Sequence, residues 1–216
     1  FNDNNTAIQT QSINATYDSC NFLGNRSGIE GNNFFLKNST FDSTGTSTRA
    51  INANISSCTF MGYDSSWYGG GLRLGRGAQI SNSEVFNCGI GMSIYRNSPR
   101  GDSNKIKVIN NMIWDQGSGF AMYLDTGTVD TMILVKQNAI CGDSSLIAIQ
   151  SYRPNMSSSF DFSGNCWCMT DSLSIANSIY WIQQINPTPA NAVITISPFD
   201  TGCLPGRVYP GEINRD

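Results

Sequence analysis

The side chains that could do chemistry in this chain are aromatic and charged residues, because the sequence contains no histidine. The chain therefore lacks an imidazole general base, a Ser-His-Asp triad and histidine-ligated zinc. Aromatic faces beside charged hydrogen-bonding groups suit the binding of sugar rings. The candidate carbohydrate-binding residues are Trp67, Tyr68, Arg73, Tyr95, Arg96, Tyr123 and Asp125. In the alternative interpretation, the tyrosines only shield a sheet.

No residue is identified as catalytic, and we expect neither a metal ion nor another cofactor. The pair Cys166-x-Cys168 is a poor metal site, because no CxxC motif accompanies it. Trp114 and Trp181 are interpreted as packing residues. Charged residues make up 13% of the chain and the net charge is −3. The basic stripe that nucleic-acid binding requires is absent.

A four-position repeat provides the elements that would position these side chains. Each unit has inward-facing residues at i, i+2 and i+7 and a small polar residue or cysteine at i+5. Successive units begin 19, 19, 25, 28, 27 and 27 residues apart. The first residues of the units are Ala15, Phe34, Ala53, Ala78, Ile106, Ile133 and Phe160.

Spacing by two within each unit is typical of a β-strand, whose alternate side chains point to opposite faces. The i+5 residue interrupts the alternation and predicts a corner, where small polar residues tolerate unusual backbone angles and bond the backbone locally. The sequence thus predicts an all-β, right-handed parallel β-helix of about seven coils, each stacked on the next. A β-sandwich is the alternative, but it has no reason to repeat this pattern at a constant 27 residues.

A second strand signal between the units places the candidate sugar face. Leu72-Arg73-Leu74, Met92-Ser93-Ile94 and Met122-Tyr123-Leu124 alternate in the same way. With the aliphatic residues inward, Arg73, Tyr95 and Tyr123 are expected on one outer surface.

The repeats resemble the parallel β-helix repeats of pectate-lyase-like and related bacterial surface proteins. The segment Asn165-Cys166-Trp167 and the later Pro198-Phe199 resemble a common ending of such proteins, although Cys168 replaces the usual glycine. The resemblance implies coils over 12–168 and a cap over 169–200, made of a short helix and a closing strand. Residues 1–11 are expected to be irregular and 201–216 to form a tail. The resemblance identifies a fold that serves many functions, and it does not identify an activity.

In this interpretation residues 171–181 form the capping helix, and Leu173, Ile175 and Ile179 lie against the end of the coil stack. The adjacent aspartates and Gly-His-Gly segment of related hydrolases are absent. The segment Arg96-Asn97-Ser98-Pro99-Arg100 is only faintly similar to a lyase motif.

The cysteines follow from the register of the repeat. Cys141 and Cys168 each come directly after the last inward residue of adjacent coils, so they are expected to form a disulfide. Cys166 and Cys203 are the expected second pair. Cys20 and Cys58 share one corner position two coils apart, too far to bridge, and are expected to be buried and reduced. Cys88 is expected to be free as well.

Seven cysteines and several glycosylation sequons favour a secreted or cell-surface protein. The candidate glycosylation sites are Asn4, Asn14, Asn25, Asn38, Asn54 and Asn155. No apolar run is long enough to predict a membrane span. Because it begins at Phe1, the sequence is interpreted as a processed product or a piece of a longer chain.

The functional expectation is a non-catalytic extracellular structural or adhesion module, such as a surface-layer or filament subunit. The chain is expected to associate with itself through an uncapped first coil and to bind a polysaccharide. It is not expected to bind nucleic acid. The alternatives are a carbohydrate-binding β-helix domain and a calcium-dependent polysaccharide lyase.

Overall fold

The computed structural model describes residues 2–3, 5–10, 14–44, 46–62, 70–95, 105–124, 133–141, 145–151, 159–168, 172–182 and 193–198. The described chain consists mainly of short strands and has one helix. In chain order the elements are β1 (Thr6–Thr10), β2 (Ala15–Asp18), β3 (Asn21–Leu23), β4 (Ser27–Asn32), β5 (Phe34–Lys37), β6 (Thr40–Thr44), β7 (Thr46–Ile51), β8 (Asn54–Ser56), β9 (Thr59–Gly62), β10 (Gly70–Leu74), β11 (Gln79–Ser81), β12 (Glu84–Tyr95), β13 (Ile106–Ile109), β14 (Met112–Leu124), β15 (Ile133–Lys136), β16 (Ala139–Ile140), β17 (Ser145–Ser151), β18 (Ser159–Asp161), α1 (Ser172–Asn177), β19 (Ile179–Ile182) and β20 (Val193–Thr195).

The strands stack as a parallel β-solenoid, which confirms the predicted fold class. The first sheet has the order β2-β5-β8-β11-β13-β15. The long strands β12 and β14 join the other two faces into one 12-stranded sheet. One part of it, which we call the second sheet, contains β3, β6, β9, β12, β14 and β16, and the other part, which we call the third sheet, has the order β1-β4-β7-β10-β12-β14-β17-β19. A separate pair is formed by β18 and β20. All of their pairings are parallel, and each strand pairs with strands one coil away. The hand of the coil stays a prediction.

The 27-residue register is also confirmed. Ile113 is the register partner of Ile140. The main-chain N–H of Ile140 donates to the carbonyl of Cys166 at 2.7 Å, which brings Trp167 onto the next coil. Trp167 is fully buried, and its indole Nε1 has no hydrogen-bond partner among the described residues.

The coils are not uniform along the stack. Three consecutive coils, from β2 to β10, consist of three separate strands each. In the next two, the second and third strands are joined in the long strands β12 and β14. Complete three-strand coils among the described residues are therefore fewer than the predicted total of about seven coils, because β12 and β14 cross their corners without a break.

The core is a set of columns, each with one inward residue from every coil. Phe22, Phe41 and Phe60 form one such column, with ring centroids 4.3 Å and 4.8 Å apart. Their strands are in register, so the rings stack at close to the strand spacing. All three are fully buried, and burying each side chain stabilises the fold by roughly 1.5–3 kcal/mol.

A left-handed residue precedes the polar corner position of every repeat. The positive φ angles lie between 51° and 71° at Ser19, Asn38, Ser57, Asn82, Asn110, Gln137 and Gly164. The unusual backbone angle is thus one residue earlier than the i+5 position at which it was expected. The i+5 side chain does bond locally, as when Ser39 Oγ donates to the Lys37 carbonyl at 2.8 Å. It also bonds across coils, since Ser39 Oγ accepts from the Cys20 N–H at 3.1 Å.

Two expectations about the ends of the chain are wrong. Residues 1–11 are not wholly irregular, because β1 pairs with β4. The helix does not extend over 171–181: it ends at Asn177, and Ile179 is the register partner of Ile147 in the third sheet. Ile175 is buried as expected, whereas Leu173 is 69% exposed. Strand pairing with β17 therefore replaces the last helical turns.

Candidate functional site

The predicted carbohydrate-binding residues on the third sheet are close in register. Arg73 of β10 is the partner of Ser93 in β12, and Tyr95 of β12 is the partner of Tyr123 in β14. The structure therefore places these residues on three neighbouring strands. The other four candidates, Trp67, Tyr68, Arg96 and Asp125, lie outside the described residues.

Arg73 belongs to a charged row on the third sheet. Its partner on the opposite side is Arg49, whose own partner in the preceding coil is Glu30. Arg49 is exposed, while Arg73 and Glu30 are half-buried. Ser93 is buried and its hydroxyl donates to the Leu72 carbonyl at 3.3 Å. Along the stack, this row thus changes from charged side chains to a buried polar side chain.

A second cluster, on the second sheet, was missed by the sequence analysis. Phe86 and Trp114 are register partners, and their rings stack with centroids 4.6 Å apart and planes 5° apart. Trp114 Nε1 donates to Glu84 Oε1 at 2.8 Å. All three side chains are half-buried. We call Glu84, Phe86 and Trp114 the acidic–aromatic patch.

Trp114 packs on Phe86, but it does so on the outer face of the second sheet and not in the core. Trp114 follows the inward Ile113, and Phe86 follows the inward Val85, so both point to the outer face of the second sheet. The alternation of inward and outward residues in the repeat already indicates this outward position of Trp114. Only the backbone of Trp181 is described, and Trp181 is the register partner of Ile149.

The first sheet has an outer surface of different character. Lys107 and Ile109 lie on β13, and Leu134 on β15 is the register partner of Lys107. These three side chains are half-buried and alternate with the buried Ile106, Val108 and Val135. We call Lys107, Ile109 and Leu134 the basic–aliphatic patch.

Two ion pairs also lie on the outer surface of the first-sheet coils. Lys37 Nζ lies 3.0 Å from Asp18 Oδ2, and Lys136 Nζ lies 2.7 Å from Asp161 Oδ2. Hydrogen bonds from Lys37 and then Asn38 lower the pKa of Asp18. Hydrogen bonds from Lys136 and then Ser163 lower the pKa of Asp161 to about 2. Both carboxylates are therefore ionised over the physiological range.

Cys141 and Cys168 form the predicted disulfide, with Cα atoms 5.2 Å apart on adjacent coils. Cys166 is disulfide-bonded too, and Cys203, its predicted partner, lies outside the described residues.

Cys20, Cys58 and Cys88 are reduced thiols, as expected. Cys58 and Cys88 are buried, whereas Cys20 is only half-buried because it belongs to the first coil of the stack. Burial raises the pKa of the Cys58 thiol to about 11 and that of Cys88 to about 12. Both thiols are therefore protonated and poorly nucleophilic at neutral pH.

The candidate glycosylation sites differ in accessibility. Asn14, Asn38 and Asn54 are exposed, and the Asn38 side-chain amide donates to Asp18 Oδ1 at 3.0 Å. Asn25 is only 1% exposed, which conflicts with its prediction as a glycan acceptor, because an attached sugar needs to lie in solvent. Asn4 and Asn155 lie outside the described residues.

Two general features of the described residues bear on ligands and membranes. They contain no cluster of three or more histidine, cysteine, aspartate or glutamate side chains able to hold a metal ion. Within the same part of the chain, no helix has the length and apolar character of a membrane span.

No family model, curated protein or solved structure matches this chain. The parallel β-solenoid is accordingly shown by the strand pairing of the chain itself.

Proposed function

We propose that this protein is a non-catalytic extracellular module that builds a filament or surface layer by stacking end to end. The observation that supports the proposal is the first coil of the described stack, where apolar core columns are less buried than in later coils and two strand edges pair with no further described strand. Such an end favours the addition of a further coil from another polypeptide.

Burial along the core columns illustrates this end. Tyr17 is half-buried, although its column partners Leu36 and Ile55 in the next two coils are 1% and 0% exposed. Ile8 is half-buried, while its register partner Ile29 is fully buried. A second copy stacked on this coil would remove the remaining apolar surface from water.

The strand edges agree with this assignment. β1 and β2 are each the last strand of their sheet. The edge of β3 is partly covered, because Asn2 bridges to Leu23 and the Asp3 N–H donates to the Leu23 carbonyl at 3.0 Å. Two of the three sheets therefore present an open edge at this end of the described stack.

An extracellular location is part of the proposal. The Cys141–Cys168 disulfide supports it, since disulfides persist mainly in oxidising compartments. Glycosylation at the exposed Asn14, Asn38 and Asn54 would be compatible with the same location. Kinship with pectate-lyase-like surface proteins is likewise a proposal, supported by the shared solenoid architecture.

A pair of variants on β2 tests end-to-end assembly. Tyr17→Lys places a charge on the apolar end, whereas Thr16→Lys places the same charge on the outer face of the same strand. Light scattering and electron microscopy should show concentration-dependent polymers for the unsubstituted chain and for Thr16→Lys. Tyr17→Lys should reduce polymer mass at least 10-fold. Ile8→Lys on β1 provides a second blocking variant, and circular dichroism checks that each variant folds.

A monomeric unsubstituted chain would contradict the proposal. Equal polymer mass for Tyr17→Lys, Ile8→Lys and Thr16→Lys would contradict it as well.

Carbohydrate binding on the third sheet is the second candidate function. The register pairing of Tyr95 with Tyr123, next to Arg73, favours it. Glycan-array binding that disappears in a Tyr95→Ala/Tyr123→Ala variant and persists in Thr16→Ala would support this role. Incubation with acidic polysaccharides and calcium, with ultraviolet detection of unsaturated products, tests for lyase activity in the same preparation.

A further inference from the structure

The acidic–aromatic patch of Glu84, Phe86 and Trp114 is a preorganised surface. The indole N–H of Trp114 holds the Glu84 carboxylate at 2.8 Å, and the stacked Phe86 ring supports the indole from the neighbouring coil. A carboxylate has acceptor capacity beyond one hydrogen bond, so Glu84 can still accept from a cationic group. The aromatic pair beside it adds apolar area and a favourable field for a cation.

The charge on the second sheet has one sign over the described outer positions. Asp42 and Glu84 lie on its outer face, together with Met61 on β9, the register partner of Phe86. No lysine or arginine lies on the described strand positions β3, β6 and β9 of this sheet. This surface therefore suits a partner that is basic and apolar.

The basic–aliphatic patch of the same chain has the complementary character. Its charged Lys107 is followed two residues later by the apolar Ile109 on one strand, just as Glu84 is followed by Phe86. Residues i and i+2 of a strand lie about 6–7 Å apart, so the two charge–apolar pairs have the same spacing. Trp114 is the register partner of Phe86 on the next coil, whereas Leu134 is the register partner of Lys107 and Lys136 is that of Ile109.

We propose that copies of this chain associate side by side, with the acidic–aromatic patch of one copy against the basic–aliphatic patch of the next. Glu84 would pair with the partner's Lys107, and the aromatic pair would pack on the partner's aliphatic residues. The coils of both copies repeat at the same strand spacing, so several coils can meet in register. The contact joins two different surfaces, and it therefore propagates into a ribbon or sheet instead of closing as a two-fold dimer.

This lateral contact extends the proposed assembly role and uses surfaces distinct from the first coil. In combination, end-to-end stacking would lengthen a filament and the lateral contact would join filaments into a layer.

Charge reversal tests the pairing. Glu84→Lys and Lys107→Glu should each weaken lateral association at least 10-fold in sedimentation velocity, because each places like charges opposite one another. The Glu84→Lys/Lys107→Glu double variant should recover association, since it restores opposite charges in exchanged positions. Glu30→Lys changes the net charge by the same amount as Glu84→Lys, but on the third sheet. This control variant should associate like the unsubstituted chain.

The measurements are made in the Tyr17→Lys background, which separates the lateral contact from end-to-end stacking, and repeated without that substitution. If Tyr17→Lys does not reduce polymer mass, that result therefore contradicts end-to-end stacking but not the lateral contact. The lateral contact is overturned if the double variant associates as weakly as the single variants. It is also overturned if the single variants associate as strongly as Glu30→Lys. Thermal unfolding of each variant verifies that the fold is kept, and Trp114→Ala should weaken association without reversing any charge.

Discussion

The side-chain amide of Asn138 donates a hydrogen bond of 2.9 Å to Oδ1 of Asn165, which occupies the same corner 27 residues later on the next coil. The Asn138 main-chain N–H donates to the same oxygen at 3.0 Å. One coil earlier, Asn138 Oδ1 accepts from the main-chain N–H and the amide of Asn111 at 2.9 Å and 3.0 Å. All three asparagines are fully buried. Each side chain thus satisfies main-chain groups that no water reaches.

Asn138→Ala should destabilise the solenoid by about 2–4 kcal/mol, because it leaves the Asn111 N–H and two main-chain carbonyls without their buried partners. Those carbonyls belong to Val108 and Lys136, each 2.9 Å from the Asn138 amide. Urea unfolding followed by circular dichroism measures the loss. Asn54→Ala is the matched control, since Asn54 is exposed on β8, and it should change the free energy of unfolding by less than about 0.5 kcal/mol. Equal midpoints for the two variants would show that the ladder does not stabilise the fold.

The disulfide between Cys141 and Cys168 should contribute about 3 kcal/mol to the free energy of unfolding, since it closes a loop between residues 27 apart in the unfolded chain. The Cys141→Ala/Cys168→Ala variant should lose this contribution, as measured by urea unfolding under non-reducing conditions. Cys20→Ser removes a half-buried free thiol and should lower stability by less than about 1 kcal/mol. The expectation is wrong if the double variant unfolds at the same urea concentration as Cys20→Ser.

The register of the coils could be predicted because two periodicities coincide in this sequence. Alternation by two fixes which residues face inward, and the 27-residue step aligns Ile113 with Ile140 and Cys141 with Cys168. A slip by one residue would turn every core side chain outward, so the alignment had a single solution. The disulfide followed from the same register.

Other features depended on contacts that the repeat does not encode. Ile175 and Ile179 are four residues apart, which fits one face of a helix, yet Ile179 pairs with Ile147 because β17 offers an open edge. Trp114 is another example, because it stacks on Phe86 and also bonds Glu84 from an outward position. Its hydrogen bond to Glu84 joins residues 30 positions apart. That contact required the coil register and an outward position to be considered together.

The reduced cysteines should differ in their reaction with a thiol reagent. Burial raises the pKa of Cys58 to about 11 and of Cys88 to about 12, so their thiolate populations at pH 8 are roughly 100-fold or more below that of an ordinary thiol. In the folded protein, Cys20 should react first, because it is only half-buried and a reagent can reach it more easily.

Mass spectrometry after labelling with a maleimide or a disulfide reagent locates the modified residue. In denaturant without reductant all three thiols should react at similar rates, which serves as the internal control. Cys20→Ser should abolish fast native labelling. Fast labelling of Cys88 in the folded chain would contradict the buried environment of this residue.

The ion pair of Lys136 with Asp161 should make a small pH-dependent contribution to stability. Its hydrogen bonds lower the pKa of Asp161 from 3.8 to about 2, so the folded chain binds this proton less tightly than the unfolded chain. The contribution is therefore complete above pH 4 and is lost as the pH falls toward 2. Because the Asp161 side chain is 61% exposed, solvent screening limits the effect to about 0.5 kcal/mol.

A double-mutant cycle of Asp161→Asn and Lys136→Met measures this coupling directly. At pH 7 the coupling energy from urea unfolding should be about 0.5 kcal/mol, and it should decrease in high salt because the pair lies at the surface. At pH 2 the coupling energy should be close to zero, because the pH has then reached the pKa of Asp161 and the carboxyl group loses its charge by protonation. A coupling that stays constant between pH 7 and pH 2 would mean that Lys136 and Asp161 interact through a hydrogen bond that does not require the ionised carboxylate.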